Sequence, residues 1–171
     1  MRTEQLSETN IALMTFIDKC DQRGYKNNNS LKAMKWDWCL ENGAWFATYN
    51  ELDEIISISG IHHWKDGYRA LFRGAQLYPR QIGINKYHMQ SYCFHSQLPH
   101  QIAYADSKPI YITTNFENDA SGKMIRIDRT FRLLEKTGLV EYISTEEVFY
   151  VQQNIWRLNV ECYNTIRKNY Q

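Results

Sequence analysis

Apolar residues recur at three- and four-residue spacing in four stretches of the chain and alternate or cluster in six others, which predicts the element order ααβββαβαββ. Leu13, Ile17 and Cys20 fall on one face of a helix running from Leu6 to Lys19 and stopped near Gly24. Ser30 is a plausible N-cap for a second helix, Leu31 to Glu41, that carries Leu31, Met34 and Trp38 and ends at Gly43. The run AWFATYNELDEIISISGIHHW reads as a hairpin turning at Asn50 to Asp53, with Ile56 and Ile58 on one face and Ser57 and Ser59 on the other. After the turn KDG, the stretch YRALFRGAQLYP forms a third strand with Gly74 inside it, where a bulge or a close backbone approach is expected. Ile84 to Gln97 suits a helix until Pro99, and KPIYITTN is a compact strand. Met124, Ile127, Phe131 and Leu134 then stripe a long helix closed by Gly138, opposite Lys123, Arg126, Arg129, Arg132 and Lys136, with Asp128 and Glu135 diluting the basic side. LVEYI and EVFYVQQNIWRLNV are strand-like, and a polar tail follows.

There are no repeats, low-complexity segments or Pro/Gly/Ser linkers, so the 171 residues are expected to form one domain. A net charge of +1 supplies no global attraction for nucleic acid or anionic lipid, and an anionic ligand has to be held locally. Cys20, Cys39, Cys93 and Cys162 form no CxxC pair, which points to free thiols in a reducing cytoplasm rather than to a zinc ribbon or a disulfide framework. Neither a signal peptide nor a membrane span is legible, so a cytoplasmic protein is expected. The aromatic content of 14% is accounted for by packing before base stacking is invoked.

The stretch LYPRQIGIN, Leu77 to Asn85, places an arginine and a glycine where a strand gives way to a helix. First-turn amides have no intrahelical partner there, and the helix dipole favours negative charge. Gly83 allows close approach, Asn85 can cap and Arg80 adds bidentate reach; a plain strand-to-helix turn fits the same six residues. Together with the element order, Arg80-Gln81-Ile82-Gly83-Ile84-Asn85 resembles the pyrophosphate signature Q/R-x-x-G-x-G/A of the GNAT superfamily of acyl-CoA-dependent N-acyltransferases, including its phage-type members. Asn85 replaces the final small residue, and the segment from Pro79 to Gly83 is short. LLEKTGL at 133–139 is similar to the family's L-Y-E-K-x-G-F helix ending, with Leu134 where the family has tyrosine. The resemblance spans roughly residues 44–160. It implies an α+β (α/β three-layer) fold: a mixed, mostly antiparallel sheet of about six to seven strands, helices on both faces, and a splay between the fourth and fifth strands.

The same resemblance implies acetyl-CoA as acyl donor and a primary amine as acceptor, the amine attacking the thioester directly. Gln76, Leu77 and Tyr78 would hold the pantetheine and carbonyl oxygen through their amides. Arg80, Gln81, Ile82, Gly83, Ile84 and Asn85 would take the diphosphate, Asn115 the pantetheine arm, and Lys123 and Arg126 the adenosine 3′-phosphate. Leu134 removes the usual thiolate acid, leaving Tyr111, Ser121 or water. His62 and His63, with Glu54 and Asp66 nearby, are the candidate proton acceptors; neighbours on a strand face opposite ways, so at most one enters a given cleft. Two adjacent histidines are poor metal geometry, and no metal is expected. His88 and His95 share a helical face without an evident carboxylate partner, and His100 follows them. Tyr49, Trp64, Tyr68 and Trp156 are candidates for the acceptor pocket.

Three readings remain open on these residues: an N-acetyltransferase acting as a monomer or homodimer, a GNAT-like enzyme modifying nucleic acid (a phage DNA base or an aminated nucleotide), and a non-catalytic binding module. The near-neutral charge weighs against the second, because phosphate contacts supply most non-specific affinity. Asn85 and Leu134 are the residues that keep the third in play.

Overall fold

The computed structural model describes residues 2–21, 36–71, 86–116, 123–148 and 150–169. Its elements are β1 (Arg2–Leu6), α1 (Ile11–Asp21), α2 (Trp36–Asn42), β2 (Gly43–Tyr49), β3 (Ile55–Trp64), β4 (Gly67–Leu71), α3 (Lys86–Ala105), β5 (Ile110–Asn115), α4 (Lys123–Lys136), β6 (Val140–Val148), β7 (Val151–Leu158) and α5 (Val160–Asn169). The strands stand in the order β1-β2-β3-β4-β5-β7-β6 in one seven-stranded sheet, antiparallel at β1/β2, β2/β3, β5/β7 and β6/β7 and parallel at β4/β5. Residues group into two compact units, Met1–His63 with Ala70–Asp106, and Trp64–Arg69 with Ser107–Gln171.

In the first unit the β2–β3 turn is built by one side chain. Asn50 Oδ1 accepts the amides of Leu52 and Glu54, both at 2.9 Å, while Asp53 takes a positive φ of 58°. The register Phe46↔Ser59 and Thr48↔Ser57 puts those four residues on one face. α3 packs there: Gln97 Nε2 donates to Thr48 Oγ1 (3.1 Å), Gln101 Nε2 donates to the Gly60 carbonyl (3.0 Å), and Phe46 meets the rings of His100 and Tyr104. On the other face Trp45 is fully buried opposite Gly60, where an added Cβ would stand 2.8 Å from its ring. The side chain of Trp45 fits because residue 60 has none.

In the second unit β5, β7 and β6 lie side by side, antiparallel at both junctions, and carry α4. Ile112↔Trp156 and Thr114↔Asn154 face the helix, Trp156 packing on Phe131 at a ring distance of 5.8 Å. α4 ends in a Schellman arrangement: Leu139 N donates to the Leu134 carbonyl, Gly138 N to that of Glu135, and Gly138 has φ 79°. α5 begins at Asn159, whose Oδ1 accepts the Cys162 amide (2.9 Å) and whose carbonyl accepts that of Tyr163 (3.0 Å).

Several expectations are corrected. The chain opens with a strand: α1 starts at Ile11, capped by Asn10 Oδ1 on the Leu13 amide (2.9 Å), and Arg2–Leu6 pairs with β2. RTEQL has no periodic apolar signal, because as an outer strand it buries Leu6 alone. α3 runs through Pro99 to Ala105, the tertiary anchors at Gln97 and Gln101 outweighing the lost helical bond. The polar tail is α5, a capped helix that buries Tyr163. Asp128 is buried, away from the basic face it was expected to share. Cys162 is a free thiol, and the side chains of Cys20, Cys39 and Cys93 lie outside the described ones, as does Gly74. Among the described residues no helix is long and apolar enough to cross a membrane.

Gly67 holds the start of β4 against β5, since a Cβ there would stand 2.1 Å from the Pro109 carbonyl oxygen. Gly67→Ala is therefore expected to cost about 2 kcal/mol and lower Tm by about 4–8 °C in a calorimetric scan. An unchanged Tm would show that the two strand starts are not held in this contact.

Candidate functional site

β4 and β5 begin together. Tyr68 N donates to the Pro109 carbonyl (2.9 Å), and the parallel register pairs Tyr68 with Ile110 and Arg69 with Tyr111. Beyond that point Ile112 to Asn115 pair with β7, and among the described residues no register pair joins them to β4.

Polar and aromatic side chains collect at this strand start. The Tyr111 hydroxyl donates to Asp66 Oδ1 (2.8 Å), and its ring meets Trp64 edge-on at 5.5 Å. Burial pushes the Tyr111 phenol above its ordinary value, and the bond to Asp66 adds to that, so it stays protonated at neutral pH. Arg69 reaches Thr113 Oγ1 from Nε (3.1 Å) and Nη2 (2.7 Å). Lys65 Nζ lies 2.9 Å from Glu146 Oε1 and 4.9 Å above the Trp64 ring. Tyr68 is buried, under the Lys108 ammonium at 5.9 Å.

His62 and His63 separate as strand alternation requires: His62 is 3% exposed and His63 lies in solvent. His62 Nδ1 is 2.9 Å from the His63 carbonyl, and Trp38 stands edge-on to the imidazole at 5.3 Å. A carbonyl can only accept, so Nδ1 carries the hydrogen in this contact. Tyr49 is buried under the Arg2 guanidinium at 4.6 Å. Trp156 is completely buried, its Nε1 donating to Thr114 Oγ1 (2.8 Å).

At the far end of β5 stands a polar centre that the sequence reading did not single out. Asp128, 4% exposed, accepts at Oδ1 from Thr114 Oγ1 (2.7 Å) and Asn154 Nδ2 (2.8 Å), and at Oδ2 from Arg132 Nε (3.0 Å). The chain of bonds continues from Thr145 Oγ1 to Asn154 Oδ1 (2.7 Å) and to the Tyr142 hydroxyl (2.7 Å). Burial pushes the Asp128 carboxyl up, but the bonds from Asn154, Thr114 and Arg132 outweigh it and the net shift is downward. The signal was present: position 128 lies on the helix stripe with Met124, Ile127 and Phe131, where an acid demands partners. Asn115 ends β5 half-buried, opposite Gln153.

Gln76, Leu77, Tyr78, Arg80, Gln81, Ile82, Gly83, Ile84, Asn85 and Ser121 lie outside the described residues. Lys123 and Arg126 fall in the first turn of α4, and their side chains, like those of His88 and His95 on α3, are outside the described ones. A groove of about 590 Å³ near Lys108, Glu135, Glu141 and Arg157 sits at the opposite end of β5 from Asn115, and its mixed charges select no ligand.

No protein-family model matches the chain, and no curated protein matches it by sequence. Solved structures do. An acyl-CoA N-acyltransferase from Pseudomonas aeruginosa aligns over 92% of this chain and 99% of its own, at 4% identity and a TM-score of 0.55. A GNAT superfamily phosphinothricin acetyltransferase from Sinorhizobium meliloti, solved with acetyl-CoA, aligns over 92% and 88% at 7% identity and a TM-score of 0.51. A GNAT-family acetyltransferase from Staphylococcus aureus aligns over 92% and 99% at 14% identity and a TM-score of 0.50. The fold is that of the GNAT acyltransferases. The mixed, mostly antiparallel sheet of seven strands is the sheet that the sequence resemblance implied.

Because the Asp128 carboxyl titrates lower in the folded chain than in the unfolded one, it contributes stability above the unfolded value and loses it as pH falls through the folded value. Asp128→Asn is expected to lower stability at pH 7 and to flatten the loss of stability below about pH 4 in urea titrations. An acid limb identical to that of the unaltered chain would mean that other carboxyls produce it.

Proposed function

We propose that this chain is an N-acyltransferase that moves an acetyl group from acetyl-CoA to a primary amine. The observation that carries this reading is the β4/β5 pair, parallel and joined at its first residues, in a GNAT fold. Acetyl-CoA supplies an activated thioester, so the chain has to position two substrates and move protons.

In this reading the segment Arg80–Asn85 takes the diphosphate, Lys123 and Arg126 the 3′-phosphate, Asn115 the pantetheine arm, and the amides of Gln76–Tyr78 the thioester. His62, the inward-facing one of the two histidines, accepts the amine's proton in this reading. Tyr111 is a reluctant proton donor, since Asp66 holds its hydrogen and burial raises it. The departing thiolate is therefore protonated by solvent. Trp64 and Tyr68 wall the acceptor side.

Calorimetric titration with acetyl-CoA tests the reading directly. Binding with a Kd in the micromolar range, about −8 kcal/mol, is expected, together with CoA thiol release when an accepted amine is supplied. No binding at millimolar acetyl-CoA ends the proposal. Within it, His62→Ala is expected to lower kcat about a hundredfold and remove the ascending limb of the pH–rate profile, whereas His63→Ala stays within about twofold. The reverse pattern would transfer the proton to His63.

A further inference from the structure

We infer that Asp128 is a positioning residue for the acyl donor: through Thr114 and Asn154 it sets where the end of β5 and the first turn of α4 stand, and so sets affinity for acetyl-CoA without touching it. The inference rests on the transferase reading and assigns a role to a centre that reading does not use.

A buried carboxylate is a costly way to hold a helix on a sheet. Packing alone would be served as well by apolar side chains of similar volume, and such replacements are often neutral or stabilising. What a carboxylate adds is discrimination, because its bonds form in one register and fail in the neighbouring ones. Here the bonds are placed to matter. Thr114, Asn154 and Thr145 lie in one row across β5, β7 and β6, and Asp128 accepts from the first two of them.

Thr114 immediately precedes Asn115. Its side chain points to α4, so that of Asn115 points to the other face. A slip of one residue in β5 would exchange the two faces and take Asn115 from its place opposite Gln153. On the helical side Asp128 lies five residues after Lys123, where α4 begins, so its bonds fix the rotation of α4 and the direction in which the first turn is presented. Both ends of the connection from β5 to α4 are thus referred to one carboxylate. Trp156 locks the row from below, donating to the same Thr114 hydroxyl that donates to Asp128.

The test is calorimetric titration of acetyl-CoA onto the full chain, with urea stability measured on the same samples. The variants are Thr114→Val, Asp128→Leu and Asp128→Asn. Asparagine keeps an acceptor oxygen for Thr114 and Asn154 and loses the charge facing Arg132; leucine keeps volume and loses every bond. Thr114→Val and Asp128→Leu are expected to raise Kd about tenfold, whereas Asp128→Asn stays within about threefold of the unaltered chain even though it is less stable. Affinity should then fail to follow stability across the series. If Asp128→Leu does not fold, Thr114→Val against Asp128→Asn makes the same comparison. Unchanged Kd in Thr114→Val overturns the inference and leaves the transferase reading standing, as does a Kd that rises in step with lost stability in every variant. Absence of binding by the unaltered chain removes the transferase reading and this inference together.

Discussion

The arrangement of the second unit depends on the short parallel contact between the first residues of β4 and β5. Parallel strands need a long connection, and here α3 lies within the link between them. Their starts are held by the Tyr68 amide on Pro109 and by the close approach that Gly67 permits. On its other edge β5 pairs with β7 from Tyr111 to Asn115, the strand end proposed to meet the acyl donor.

Both units hold a helix on a sheet with buried polar side chains as well as apolar ones. In the first, Gln97 and Gln101 of α3 bond Thr48 and the Gly60 carbonyl. In the second, Asp128 of α4 bonds Thr114 and Asn154. Each group is worth little net stability when satisfied and costs much when orphaned, so these bonds act chiefly as constraints on register. Trp45 and Trp156, fully buried, supply apolar area beside them.

Much of this was legible in the residues. The hairpin around Asn50, the KPIYITTN strand and the α4 stripe with its Gly138 stop announced themselves through period and turn chemistry. β1 did not, because a strand at the sheet's margin needs no apolar alternation. α3 was cut short at Pro99 because a proline penalty is local while the anchors that outweigh it, at Thr48 and Gly60, are distant in sequence. Of the site, the separation of His62 from His63 followed from alternation alone. The pairing of Tyr111 with Asp66, and the partners of Asp128, needed the fold, since each joins residues on different elements.

The outermost strand of the sheet, β6, carries a register shift between Tyr142 and Ser144 and presents Glu141, Glu146 and Glu147 along its length. A kinked rim offers a poor template to a passing chain, because the irregularity breaks the ladder a newcomer would extend. Resistance to fibrillar accretion is thus built into the margin of the molecule, independently of whatever it binds.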